Sequence, residues 1–188
     1  DHIESLEFVN SSMQKVYQKA AYLKGAELFN KGRYQQAITM FGKSLKYTPD
    51  AEYKAMTNYW AGESYSIGKR YDQAIENYQL VIGNTAAKGR AEWLKARYGM
   101  AYAYYNTKQY SKALVHFKEY VNALETAQDK QYYDDALLRL ADCYYVNKSY
   151  DNALNYYNKA VRFNILDYDF AHLQAGTVIG IQSNLAVV

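Results

Sequence analysis

Four stretches of the chain share one arrangement of apolar and polar positions. Tyr34–Phe41, Tyr71–Tyr78, Tyr110–Phe117 and Tyr150–Tyr157 all read Tyr-x-x-Ala-[Ile/Leu]-x-x-[Phe/Tyr]. The apolar positions recur at helical spacing, so each stretch predicts a short helix with one buried face. Twelve residues before each alanine stands a small residue, Gly25, Gly62, Ala101 or Ala141, with Leu28, Tyr65, Tyr104 or Tyr144 three residues later. Each unit therefore predicts two helices joined by a tight turn, through Lys31-Gly32-Arg33, Gly68-Lys69-Arg70, Thr107-Lys108-Gln109 and Asn147-Lys148-Ser149. Where two helices cross closely, only Gly or Ala lets the backbones approach. The small residue and the alanine thus mark the crossing, and the Phe or Tyr one turn on plugs the space beside it.

These residues resemble the tetratricopeptide repeat over about residues 14–163, and Pro49 stands where that family often places a proline after the second helix. The resemblance implies an all-α fold, an α-solenoid of antiparallel helix hairpins. The expected units are repeats at 13–50, 51–88, 89–127 and 128–165, preceded by the tail of an earlier helix at 1–12 (Ile3, Leu6, Phe8, Val9). Residues 166–188, with Gly176 placed 35 residues after Ala141, read as the first helix of a fifth repeat or as a capping helix. The alanines Ala37, Ala74, Ala113 and Ala153 recur at 37, 39 and 40 residues, longer than the usual period of about 34. Longer helices and connections near Gly83-Asn84-Thr85 and Glu125-Thr126-Ala127 are expected to absorb the surplus.

A solenoid of this kind binds ligands on the side lined by its first helices. The positions three before, one after and four after the small residue should face that groove. They place there Tyr22, Phe29, Tyr59, Glu63, Tyr98, Tyr102, Tyr105, Leu138, Asp142 and Tyr145, together with Ala26 and Ser66. An aromatic strip with two acids suits a peptide or an amphipathic helix. Packing between helices is the preferred reading of any single tyrosine, whereas a stripe on one face is harder to explain by packing alone. The Lys and Asn clamp by which chaperone-binding members hold a C-terminal carboxylate is not matched, because Tyr22, Ala26, Tyr59 and Glu63 occupy its places, and Lys19 and Lys95 fit only part of it.

Composition narrows the alternatives. One proline among 188 residues favours long helices, and 23 tyrosines are unusual for them. The net charge of +3 is spread among acids, so nucleic acid is not the expected partner. No apolar run is long enough to span a bilayer. The lone Cys143 forms no internal disulfide and has no base in view, and His2, His116 and His172 lie too far apart in sequence to suggest a metal. His116 reads as a surface residue, and Asp134 and Asp135 as acids at a helix start. No phosphate-binding glycine motif occurs, so no cofactor is expected. The expected role is a non-enzymatic scaffold for another protein or peptide, with end-to-end self-association through uncapped repeats as a further property. The tyrosine content and long period also resemble large envelope-associated repeat proteins of bacteria. That second resemblance implies a periplasmic or envelope location, and a glycan or cell-wall binding role as the alternative.

Overall fold

A computed structural model of the chain describes residues 10–85, 88–125, 127, 130, 132–162 and 168–185. The expected tail of a preceding helix lies almost wholly outside them, as does Thr126. Among the described residues there are nine helices and no strand: α1 Ser11–Asn30, α2 Tyr34–Lys46, α3 Ala51–Ile67, α4 Tyr71–Ile82, α5 Ala91–Asn106, α6 Tyr110–Leu124, α7 Tyr133–Val146, α8 Tyr150–Arg162 and α9 Tyr168–Leu185. The chain forms two compact units, Asp1–Ala103 and Tyr104–Val188. The two longer repeat spacings fall where the chain between hairpins runs through residues 83–90 and 125–132, against 47–50 after α2.

All four hairpin turns close in the same way. The N–H groups of Arg33, Arg70, Gln109 and Ser149 donate to the carbonyls of Leu28, Tyr65, Tyr104 and Tyr144, at 2.8–2.9 Å. This is the wide hydrogen bond of a Schellman helix end, which needs a left-handed residue just before the donor. Gly32 fills that place in the first turn at φ 72°, whereas Lys69, Lys108 and Lys148 fill it in the others at φ 56–60°. Three of the four turns thus hold a strained lysine where glycine would be at ease.

Between the turns the second helices bury their alanines and rings, Ala37 with Phe41, Ala74 with Tyr78, Ala113 with Phe117 and Ala153 with Tyr157. In the N-terminal unit the opposing backbone is bare. A Cβ built on Gly25 would lie 2.5 Å from the Phe41 ring, and one on Gly62 would lie 2.7 Å from the Tyr78 ring. Gly99 on α5 approaches Tyr78 from another side, where a Cβ would sit 2.6 Å from the ring. One tyrosine is therefore held between the backbones of two helices.

A buried polar seam ties the first hairpin to α3. The Gln18 side chain donates to the Asp50 carbonyl at 2.9 Å and accepts from the Asp50 N–H at 3.1 Å. Ser44 Oγ donates to the Gln18 carbonyl at 2.9 Å and lies 3.1 Å from Thr57 Oγ1. Asp50 in turn caps α3, accepting from the N–H groups of Glu52 and Tyr53. The result fixes the link between α2 and α3 at its one proline-bearing turn.

The Gly62→Ala variant tests this packing. The substitution favours the helix by about 1 kcal/mol in intrinsic propensity, but it pushes a methyl into a ring that cannot retreat. A net loss of about 1–3 kcal/mol in unfolding free energy is expected from urea titration. A gain in stability would show that the Tyr78 ring has room to move.

Candidate functional site

The residues expected along the first-helix face divide into two groups in the structure. Some stay at the surface, and others are spent on interior bonds. Tyr59 and Leu138, 8% and 1% exposed, offer no area to a ligand. Tyr59 packs edge-on against Trp60 at 5.1 Å and near Tyr78 at 6.4 Å.

The two acids also turn inward. Tyr78 Oη donates to Glu63 Oε1 at 2.6 Å, and Tyr157 Oη donates to Asp142 Oδ1 at 2.7 Å. In both hairpins the acid is the residue after the small one, and the tyrosine is the buried ring of the second helix. A phenol hydroxyl taken out of water needs an acceptor, and a carboxylate one residue past the crossing supplies it. In the other two hairpins the ring is Phe41 or Phe117, which carries no hydroxyl, and the matching position holds Ala26 or Tyr102. The acids of this face follow the hydroxyls of the core.

Electrostatics agree with that division. Burial raises the Glu63 carboxyl above its usual range, against the opposing pull of the Tyr78 hydrogen bond and the Lys95 charge. Burial, then Glu63, pushes the Tyr78 hydroxyl well above its ordinary value, and Ser66 also hydrogen-bonds it. Asp142 is more heavily engaged. Its Oδ2 accepts from Arg139 at 2.8 Å and from the Tyr105 hydroxyl at 3.1 Å. Burial and the Asp142 charge push Tyr105 up to about 12. Tyr105 further packs edge-on against Tyr110 and Phe117.

The aromatic residues four after the small residue show a second recurrent contact. Phe29 meets Tyr34, Tyr105 meets Tyr110 and Tyr145 meets Tyr150, with ring centroids 5.3, 5.4 and 6.0 Å apart. Each pair bridges a hairpin turn. Tyr98 and Tyr102 lie half-buried on α5 with their rings 5.0 Å apart.

A hollow opens among the expected positions. Tyr22, Ala26, Phe29 and Asn30 of α1, with Trp60 of α3, line a notch of about 70 Å³. Tyr22 hydrogen-bonds Trp60, and its hydroxyl is raised chiefly by burial. Phe29 packs edge-on against Trp60 at 4.9 Å. The notch exists because Ala26 is a methyl group where the other first helices carry Glu63, Tyr102 and Asp142. Trp60 and Asn30 were not expected at this face. The bulk of Trp60, two residues before Gly62, was the available signal. A larger hollow of about 460 Å³ mixes Ala51 and Leu80 with Thr48, Lys54, Gln79 and Asn84 in its walls, and it lies away from the expected groove positions.

His116 is not a free surface residue, since it is half-buried and stacks on Tyr104 at 5.7 Å and 13°. Cys143 is fully buried, and burial beside Asp142 pushes its thiol up to about 12, the setting of an inert space-filling cysteine. Among the described residues no group of three His, Cys, Asp or Glu is placed to hold a metal, and no helix is long and apolar enough to cross a membrane.

With this geometry in view, comparison with known proteins places the chain in a family. Family models described as tetratricopeptide repeat match residues 14–50, 95–123 and 121–166. The chain belongs to the tetratricopeptide repeat family. A search of the curated proteins gives no match. Among solved structures, the MamA protein is similar with a TM-score of 0.72 and 20% identity, over 89% of this chain and 83% of that one. YrrB, described as a TPR protein with an unusual peptide-binding site, gives 0.69 and 17%, over 87% and 77%. BtubC (BKLC) from P. vanneervenii gives 0.68 and 14%, over 93% and 76%. At these identities the likeness is one of fold, and the fold class is an all-α helical-repeat solenoid.

The pairing of acid with hydroxyl predicts a specific pattern of stabilities. Glu63→Ala and Tyr78→Phe, made singly, each leave a buried polar group short of its partner and are expected to cost about 1–3 kcal/mol. Made together they recreate the Ala26 and Phe41 pair of the first hairpin, and the double variant should recover more than half of the summed loss in urea unfolding. Simple additivity of the two losses would contradict the pairing.

Proposed function

We propose that this chain is a protein-interaction scaffold and that its N-terminal unit holds a peptide by seating one aliphatic side chain in the Tyr22, Ala26, Phe29, Trp60 notch. Family and fold support the scaffold role, as does the likeness to a protein described as having a peptide-binding site. The notch is the observation that carries the finer reading. Its volume of about 70 Å³ compares with roughly 30 Å³ for a water and about 150 Å³ for a cavity that accepts benzene. It suits the tip of Val, Ile, Leu or Met better than a ring.

Its chemistry fits the same occupant. Three aromatic walls supply contact area at little entropic cost, and the Asn30 amide at the edge can pair with a peptide backbone. On α5, Tyr98 and Tyr102 occupy positions equivalent to Tyr22 and Ala26, and they extend the aromatic surface of the same unit. Glu63 is half-buried and bonded to the Tyr78 hydroxyl, so recognition of a basic residue at that point is not part of this reading.

Selection of a random 12-residue peptide phage library on the protein should give binders with a shared aliphatic anchor. Ala26→Leu fills the notch from below and should weaken a selected peptide about 10-fold or more by fluorescence anisotropy, with the unfolding midpoint unchanged. Peptides that lack an aliphatic anchor, or that bind the Ala26→Leu variant equally well, would sink the proposal.

A further inference from the structure

Rings in this chain repeatedly hold its own cations. Within the N-terminal unit Arg97 lies over the Trp93 ring at 4.2 Å and Arg70 over the Tyr65 ring at 4.6 Å. The negative face of a ring attracts positive charge, most strongly where water is kept away. The notch gathers three rings, Tyr22, Phe29 and Trp60, around the Ala26 methyl. Among the described residues no Lys or Arg of the chain lies over any of the three.

The walls of the notch form a corner. Phe29 meets Trp60 at 62° with ring centroids 4.9 Å apart, and Tyr53 backs Tyr22 at 66° and 5.4 Å. Rings that meet steeply touch a tetrahedral head on more than one side, whereas a flat group lies along one wall. The electrostatic surroundings favour a positive occupant as well. Burial raises the Tyr22 hydroxyl, the bond to Trp60 opposes the rise, and the charge of Glu92 adds to it. Glu92 is thus close enough to be felt at the notch.

The supply of acceptors decides which cation fits. A lysine ammonium brings three N–H donors and an arginine guanidinium five, and each one taken out of water needs an acceptor. Of the lining side chains only the Tyr22 hydroxyl and the Asn30 amide carry one. The first is already bonded to Trp60, and Glu63 nearby on α3 is bonded to the Tyr78 hydroxyl. A trimethylammonium head carries its charge with no N–H at all, so it asks nothing of apolar walls. With one nitrogen and three methyls it also falls between the water and the benzene that bracket a space of about 70 Å³.

We infer that the notch is an aromatic cage for the head of a trimethylated lysine in a partner protein. This rests on the reading of the notch as a peptide seat and names its anchor more finely. A neutral branched tip has the same shape, but only the cation gains from the ring faces. The flexible stem of lysine carries the head between the rings while the peptide backbone passes the Asn30 amide.

The test uses the full chain and follows the Trp60 indole N–H by NMR, told apart from that of Trp93 with a Trp93→Phe variant. The probes are a short Gly/Ser peptide centred on trimethyllysine, the same peptide centred on its neutral carbon analogue with a tert-butyl head, and choline. The trimethyllysine peptide should move the Trp60 signal and bind about 10-fold or more tightly than the neutral analogue. It should bind at least as tightly as choline, and Ala26→Leu should abolish its binding. Fluorinated tryptophan, which drains charge from the ring face, should weaken the cationic peptide and leave the neutral one unchanged. Equal affinity for the cationic and neutral peptides would overturn the inference and leave the aliphatic anchor standing. Binding of neither would overturn it too, and the selected phage peptides would then decide the notch reading separately. Choline bound without the peptide would remove the protein source, and trimethyllysine bound equally by the Ala26→Leu variant would remove the notch.

Discussion

The contact between an aromatic ring and a helix backbone stripped of its side chain governs the hairpins of the N-terminal unit. Phe41 lies on Gly25, and Tyr78 lies on Gly62 with Gly99 at another side. At such separations the small residue admits no methyl, the ring admits no second conformation, and the helices have one crossing distance. Choice of ring then dictates the chemistry beside it. Phenylalanine asks nothing of its surroundings, whereas tyrosine brings a hydroxyl that must be bonded. The residue after the small one is therefore an acid opposite Tyr78 and Tyr157, and is free to vary opposite Phe41 and Phe117. That freedom opens the notch at Ala26. The candidate binding feature of this chain is a consequence of which hairpins use phenylalanine.

Much of the architecture was legible because it is written at fixed local spacing. The Tyr-x-x-Ala pattern marks second helices, the small residue twelve positions earlier marks their partners, and the intervening triplets mark turns that all close alike. What crosses between elements was harder to read. Glu63 and Asp142 fall on the first-helix face by position, yet their carboxylates bend inward to hydroxyls on the next helix. A signal was present in the sequence, since Ala26, Glu63, Tyr102 and Asp142 vary in step with Phe41, Tyr78, Phe117 and Tyr157 at a constant separation of residues. Reading it requires knowing that the tyrosine hydroxyl points back over the crossing. Gln18, Gly99 and Trp60 lay outside any repeat position and act through contacts that no periodicity announces. The left-handed lysines of three turns were hidden too, because lysine is not a residue that advertises φ > 0.

Where a ring seats on a bare backbone, as Phe41 does on Gly25 and Tyr78 on Gly62, the two helices of the hairpin lock at one distance. The proposed seat at the notch uses a gap left by a small side chain, Ala26. The notch is a surface that repeat packing creates and local sequence choice leaves open.

The most direct test of the central claim is the flipping rate of the seated rings, measured by NMR on selectively labelled protein. Rotation of the Phe41 or Tyr78 ring about its axis requires the glycine socket to open, so separate signals for the two edges of each ring, or broadening on the millisecond scale, are predicted. The half-buried rings of Tyr98 and Tyr102 should flip fast and give single averaged signals. Fast, averaged flipping of Phe41 and Tyr78 at the same temperature would contradict the claim that these contacts set the geometry of the hairpins.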